Sequence, residues 1–270
     1  MPSTAAVTPD ATRSPVLIHV PHASRVIPPE IRADLLLTDA ELEAELDEAS
    51  DTATDEIAAA ASHHIGNHGL RPAVVRNTLS RLVVDPERFP DDTEPANAVG
   101  RGAVYTRTCG GAPMRAEPYP RTGDLLDAIF RPYADAVADA VDDRLRACGH
   151  AVIIDLHSYP QTPSRFEDPA AARPPLCIGT DPVHTPDWLI AATRGAFASL
   201  GEIEENTPYA GCYLPLRHYG HDRRVSSVMI ELRRDVYLTD PRTPDPARVD
   251  QLGRALATLI GAVSEHHANV

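Results

Sequence analysis

Two histidines and one glutamate stand within or just after apolar segments, at positions where an α/β protein places reactive side chains. His22 follows VLIHVP, His157 follows VIIDL, and Glu231 lies inside VMIEL. Ligands of open α/β sheets bind at the carboxyl ends of the strands, so these three residues can meet although they are far apart in sequence. Catalytic zinc takes three His or carboxylate ligands and leaves a fourth position for water. The pattern therefore indicates zinc chemistry.

The third zinc ligand must be a carboxylate. Asp51, in the acidic helical segment that follows Thr38, is the best candidate, and Asp47 and Glu48 stay open as alternatives. Each candidate ligand also has a structural interpretation. A histidine at a strand end is often a hydrogen-bonded structural residue, and an acidic helix usually presents a solvated face. The residues alone thus leave metal binding and a structural role both open.

Glu231 carries a stronger signal, because a carboxylate among apolar neighbours is costly to bury without a partner. It either forms a salt bridge with a nearby arginine or acts as a general base that takes a proton from attacking water.

The composition excludes several classes of function. The 270 residues carry a formal net charge of -14, which disfavours nucleic-acid and anionic-membrane partners. The sequence has no lysine, so Schiff-base and phosphate-loop chemistry are absent, and arginine supplies every fixed positive charge. The dinucleotide-binding, phosphate-loop and serine-elbow motifs are also missing.

Apolar strands alternate with amphipathic helices, which predicts one α/β domain over residues 15–270 after a disordered tail at 1–14. No segment has the length of a membrane span and the amino terminus lacks a signal-peptide core, so we expect a cytoplasmic protein. The elements expected around the candidate residues are strands at 15–20, 72–84, 151–156 and 226–232, and helices at 38–64 and 123–148. For 38–64, one helix and two helices divided near Ser50 are both open.

Six short segments resemble the N-formylglutamate amidohydrolases in their order along the chain. They are VPHAS, DTATDEIA, SRLVVDPER, IDLHS, NTPYAGCY followed by HYG, and IELRRDVY, which span roughly residues 15 to 240. The resemblance implies a mixed β-sheet sandwiched by helices, in a zinc carboxypeptidase-like (phosphorylase/hydrolase-like) fold. It also implies one zinc ion and hydrolysis of an amide beside a carboxylate, with a small acidic molecule as substrate.

The resemblance also implies a role for individual residues. His22, Asp51 and His157 would hold zinc, and Glu231 would be the base. Arg81 would polarise the scissile carbonyl, Arg88 would hold a substrate carboxylate, Asp85 would orient an arginine, and Asp155 would fix the His157 tautomer. Asn206, Tyr209 and Gly211 would form the pocket wall.

One departure from the family pattern concerns the substrate. Members commonly read D-x-N-R where this chain has Asp85, Pro86, Glu87 and Arg88, so an acid replaces an amide that would help to bind a carboxylate or carbonyl. Two alternatives therefore stand beside N-formylglutamate hydrolysis. One is a carboxypeptidase-like peptidase or amidase, and the other is a metal-free small-molecule binding protein with the same fold.

Overall fold

Seven strands form one mixed sheet in the part of the chain that the computed structural model describes, residues 4–8, 14–66 and 71–268. Its order is β1-β3-β2-β4-β7-β5-β6. The strands are β1 Ala5–Thr8, β2 Val16–Val20, β3 Ala73–Asn77, β4 Ala151–Tyr159, β5 Leu176–Gly179, β6 Ile203–Glu205 and β7 Val225–Arg233. A small separate hairpin joins β8 Leu238–Asp240 to β9 Thr243–Pro244.

The centre of the sheet is parallel, since β3, β2, β4 and β7 all run in one direction. Strand β1 pairs antiparallel with β3, and β5 pairs antiparallel with β7. Strands β2 and β4 are buried along their whole length, as near-continuous apolar runs in parallel sheets should be. The predicted mixed sheet between helices is confirmed.

Helices cover both faces of the sheet. On one face, α3, α6 and α7 pack against the alternate strand residues Ile18, Ile154 and Ile230. On the other face, α5 packs against Leu17 and Ile153. The helices are α1 Pro29–Arg32, α2 Asp39–Ala49, α3 Thr54–Ile65, α4 Thr122–Leu125, α5 Arg131–Cys148, α6 Asp187–Ala196 and α7 Pro246–Ala268.

Several local expectations hold in the structure. The segment 38–64 divides into α2 and α3 at Ser50, and Thr38 and Glu41 form the capping box that begins α2. The segment 123–148 is helical throughout, with a π-helical turn over Leu126–Phe130 directly before α5. Of the segment 72–84, only Ala73–Asn77 is a strand.

The predicted disordered tail is wrong for Ala5–Thr8. These residues form strand β1, because their backbone pairs antiparallel with β3 at the edge of the sheet. Residues 1–3 and 9–13, which the same expectation covers, lie outside the described part of the chain. Among the described helices, none has the length and apolar character needed to cross a membrane.

Candidate metal centre and active site

The candidate site lies on the face of the sheet that α5 covers. His19 is paired in register with Asp155, and His157 with Glu231. Side chains of register partners leave a sheet on the same face, and residues two apart on one strand also share that face. His19, Asp155, His157 and Glu231 therefore form one continuous polar surface where the apolar contacts with α5 end.

Three ligand atoms converge at the edge of this surface. Asp51 lies in the turn between α2 and α3, and its backbone N–H donates to the carbonyl of His22 over 3.0 Å. Its Oδ2 atom is 3.0 Å from His157 Nδ1 and 3.6 Å from His22 Nδ1. Zinc ligands at tetrahedral positions stand about 3.3 Å apart. The spacing of these atoms therefore fits a small divalent cation.

The surroundings of His22 also fit a metal ligand. Its Nδ1 atom is buried without a hydrogen-bond partner, while its Nε2 atom lies 2.9 Å from Asp85 Oδ1. A ligating histidine usually presents one ring nitrogen to the metal and donates the other N–H to a carboxylate. Burial alone would raise the pKa of Asp51, but the neighbouring His157 and His22 lower it. This carboxylate is therefore ionised and able to bind a cation.

Two carboxylates lie beside the Nε2 atom of His157, whereas Asp51 contacts its Nδ1 atom. Its Nε2 atom lies 3.0 Å from Asp155 Oδ1 and 3.3 Å from Glu87 Oε1. Burial alone would lower the pKa of His157, but Asp155, Glu87 and Asp51 raise it well above its ordinary value. The electric field of this pocket therefore favours positive charge, which a bound metal ion would supply.

His19 belongs to this network, although no role is predicted for it from the sequence. Its Nδ1 atom lies 2.9 Å from Asp155 Oδ1, its Nε2 atom 2.8 Å from the Tyr133 hydroxyl, and its ring stacks on Tyr213 at 4.4 Å. The other Asp155 oxygen accepts from the Tyr213 backbone N–H over 3.0 Å. These contacts fix Asp155, and through it His157. The missed signal is a histidine inside the apolar run VLIHV.

Glu231 faces the cavity from β7, beside His157. It is 9% exposed, and its Oε2 atom is buried without a hydrogen-bond partner. Burial raises its pKa to about 8, an effect that Asp51 reinforces and that His157 and two arginines oppose. A carboxyl group with a pKa close to neutral pH suits proton transfer in both directions.

One buried carboxylate orients two other members of the site. Asp85 contacts His22 through Oδ1, while its Oδ2 atom accepts hydrogen bonds from the Tyr105 hydroxyl and from Arg81 Nη2, the latter over 2.7 Å. Arg81 faces the cavity as well. Asp85 thus fixes the position of His22, a candidate metal ligand, relative to Arg81, the candidate carbonyl-polarising group.

Arg88 differs from Arg81 because it has no tight partner. Its Nε atom is buried without a hydrogen bond, and its contacts with Asp85 and Glu94 are 3.7 and 3.8 Å long. A loosely paired guanidinium at a cavity wall is suited to bidentate binding of a carboxylate.

A cavity of about 820 Å³ is lined by the three candidate ligands, by Glu231, Arg81 and Arg88, and by Tyr209 and Gly211. Asn206 does not line it, so its predicted place in the pocket wall is corrected. Its amide instead bonds with Thr180, at 2.9 Å to the backbone N–H and 2.8 Å to the hydroxyl, and its φ of 56° forms a turn. Among the described glycines, Gly179 lies nearest to another backbone segment, since a Cβ added there would be 2.2 Å from the Gly211 carbonyl oxygen.

The structure also places the two alternatives to Asp51. Asp47 turns outward and pairs with Arg25 and Arg242 at 2.8 and 2.7 Å. Glu48 lines the cavity, but the groups of described residues close enough to hold one ion include Asp51 and not Glu48.

Comparisons with known proteins identify a family and a shared fold. The family model for N-formylglutamate amidohydrolase matches residues 14–238. A crystal structure of N-formylglutamate amidohydrolase from Ralstonia eutropha JMP134 superposes with a TM-score of 0.75 at 20% identity, over 99% of each chain. The crystal structure of a gene product from Agrobacterium tumefaciens superposes with a TM-score of 0.73 at 19% identity, over 98% of this chain and 96% of that one.

No curated protein matches the chain. The family match nevertheless covers most of its length and every residue of the candidate centre. The chain belongs to the N-formylglutamate amidohydrolase family.

Proposed function

We propose that the protein is a zinc-dependent amidohydrolase that cleaves the amide bond of an N-acyl amino acid, such as N-formylglutamate. The observation that carries the proposal is that His157 Nδ1 and His22 Nδ1 lie 3.0 and 3.6 Å from Asp51 Oδ2, in the same cavity as Glu231 and Arg81. The family match supports hydrolysis of an amide.

His22, Asp51 and His157 would hold the zinc ion. Zinc bound there would supply a Lewis acid for the carbonyl and lower the pKa of attacking water. Glu231 would take the proton of that water and return it to the departing amine. Burial raises the pKa of Glu231 to about 8 in the metal-free protein. The positive charge of bound zinc would lower this pKa, so that Glu231 would be ionised to take the first proton and protonated to give it back.

Arg81 would stabilise the negative charge that develops on the carbonyl oxygen. Its Nε and Nη2 atoms are fixed by Asp85 at 3.2 and 2.7 Å, so no reorganisation is needed as the charge appears. Arg88 would hold the carboxylate of the amino acid, which places the amide between the two arginines and the zinc ligands.

The metal site is tested by Asp51→Asn, with Asp47→Asn as the matched control from the preceding helix α2. Zinc content would be measured by inductively coupled plasma mass spectrometry on proteins purified without chelators. We expect about one zinc per chain in the wild type and in the control, and a large loss in Asp51→Asn. No stoichiometric zinc in the wild type would overturn the proposed mechanism.

The reaction is tested with the zinc-loaded protein and N-formyl amino acids, by following formate release. We expect turnover that Arg81→Gln reduces by 10²- to 10³-fold in kcat, as loss of one oxyanion donor does. Hydrolysis of short peptides without hydrolysis of N-formyl amino acids would instead establish a carboxypeptidase-like peptidase.

A further inference from the structure

Exposed large hydrophobic residues of the described chain gather at the cavity. Seven large hydrophobic residues are exposed in the described part of the chain, and four of them line this cavity: Val99, Phe166, Leu216 and Tyr219, with exposures of 40 to 54%. Exposed apolar side chains that cluster beside a pocket mark ligand-binding surface. Here that surface is continuous with the candidate catalytic centre.

The cavity is also large for the smallest substrates of this class. Its volume of about 820 Å³ lies toward the upper end of the roughly 300–1,000 Å³ that hold drug-sized ligands. An N-formyl amino acid with a short side chain would leave much of the apolar wall in contact with water.

The charges of the cavity favour a substrate with a single carboxylate. Three of its arginines are already paired with acids: Arg101 with Glu45 at 3.1 Å, Arg131 with Asp127 at 2.8 Å, and Arg217 with Asp139 and Asp142 at 2.9 and 2.6 Å. Arg234 binds the backbone carbonyls of residues 47 and 48, and Arg81 is held by Asp85. Among the cavity arginines that the structure describes, Arg88 is the most loosely paired.

Carboxylates in the same lining add to this effect. The wall contains Glu48, Glu87, Asp135 and Glu167 besides the candidate ligand Asp51 and its neighbour Asp155. A second substrate carboxylate, such as the one on a glutamate side chain, would meet this negative charge without a free cation to receive it.

Apolar surface begins directly beside Arg88, the residue that would hold the substrate carboxylate. Phe89 follows Arg88 in the chain, and its ring centroid lies 6.2 Å from that of Tyr219. Leu216, on the same loop as Tyr219, is 54% exposed. An amino acid whose carboxylate lies on Arg88 would therefore present its side chain to this wall.

We propose that the preferred substrate is an N-acyl amino acid with one carboxylate, held by Arg88, and an apolar side chain that packs against Phe89, Leu216 and Tyr219. This inference rests on the proposed function and narrows its substrate. Burial of each side-chain methylene should raise kcat/KM by up to about fourfold.

The first test compares N-formyl derivatives of alanine, norleucine and glutamate on the zinc-loaded wild-type protein, by formate release. The added methylenes of norleucine predict a kcat/KM roughly 10- to 60-fold above that of alanine, with glutamate below norleucine. The amide of N-formylnorleucine, which lacks the carboxylate, should be a poor substrate because Arg88 has nothing to bind.

The second test is Leu216→Ser, with Leu36→Ser as the matched control. Leu36 is 62% exposed and does not line the cavity. The kcat/KM ratio of norleucine to alanine substrates should fall several-fold in Leu216→Ser and stay at the wild-type value in the control.

The outcomes separate the two proposals. If N-formylglutamate is hydrolysed best, or if all side chains are equivalent, the apolar preference is overturned and the amidohydrolase function stands. If no N-acyl amino acid is hydrolysed by zinc-loaded protein, the proposed function fails and this inference fails with it.

Discussion

Replacing Glu231 by glutamine separates the cost of burying this carboxylate from its use in catalysis. The wild-type side chain is 9% exposed and has an unpartnered oxygen, and burial raises its pKa from 4.5 to about 8. Glutamine has nearly the same volume but no proton to lose. The substitution should therefore remove a pH-dependent loss of folding stability and leave the packing of the side chain unchanged.

The sign of the stability effect follows from proton binding in the metal-free protein. Between pH 4.5 and about 8, the folded state keeps the Glu231 proton while the unfolded chain has released it. Stability contributed by this group is therefore full at low pH and is lost as the pH rises toward 8. Glu231→Gln should be more stable than the wild type by roughly 1 kcal/mol at pH 5 and on the order of 4 kcal/mol at pH 8.

Urea unfolding in the presence of a chelator measures this difference across the pH range. Glu202→Gln, a change at an exposed glutamate, is the matched control and should stay within about 0.5 kcal/mol of the wild type. In the zinc-loaded protein, the same Glu231→Gln variant should keep its metal and lose about 10²- to 10⁴-fold in kcat. A stability difference that does not change with pH, or an unchanged kcat, would refute the reasoning.

Three further predictions concern the surroundings of the site and the scaffold. Glu87→Asn removes a carboxylate 3.3 Å from His157 Nε2, so zinc affinity measured by chelator competition should fall about 10- to 100-fold; unchanged affinity would show that Glu87 does not tune the ligand. Gly179→Ala places a Cβ 2.2 Å from the Gly211 carbonyl oxygen and should cost about 1–3 kcal/mol in urea unfolding, whereas Gly195→Ala, in helix α6 with nothing within 4 Å, should be neutral or stabilising. Thr38→Ala removes the side-chain acceptor of the α2 capping box and should cost about 1 kcal/mol; a neutral result would mean that another group caps the helix.

The central strands and their polar residues could be predicted from the sequence because their signals are local. VIIDLHS and VMIEL are apolar runs interrupted by groups that are costly to bury, and both form fully or largely buried strands. Register then brings His157 opposite Glu231. The sequence could not supply this register, but the rule that parallel strands end at one edge was enough to bring the candidates together.

Other features depend on contacts between distant segments, so local sequence does not show them. Ala5–Thr8 is a strand only because β3 offers it a free edge. Asn206 has the residue type of a binding group, yet its amide is used by Thr180. Asp47 and Asp51 look equivalent in an acidic helix, and the chain separates them by ending that helix at Ala49 and turning Asp51 inward.

The same division explains why the reaction is easier to infer than the substrate. The groups that would cleave the amide come from strand ends and from the turn before α3, where a change of position would disrupt the sheet or expose buried charge. The residues that would contact the rest of the substrate, such as Leu216 and Tyr219, lie on a loop and are half-exposed, so they can vary at little cost in stability. Glu87 belongs to both sets of residues, since it lies beside His157 and also lines the cavity. Family membership therefore constrains the chemistry of this protein more tightly than it constrains the identity of its substrate.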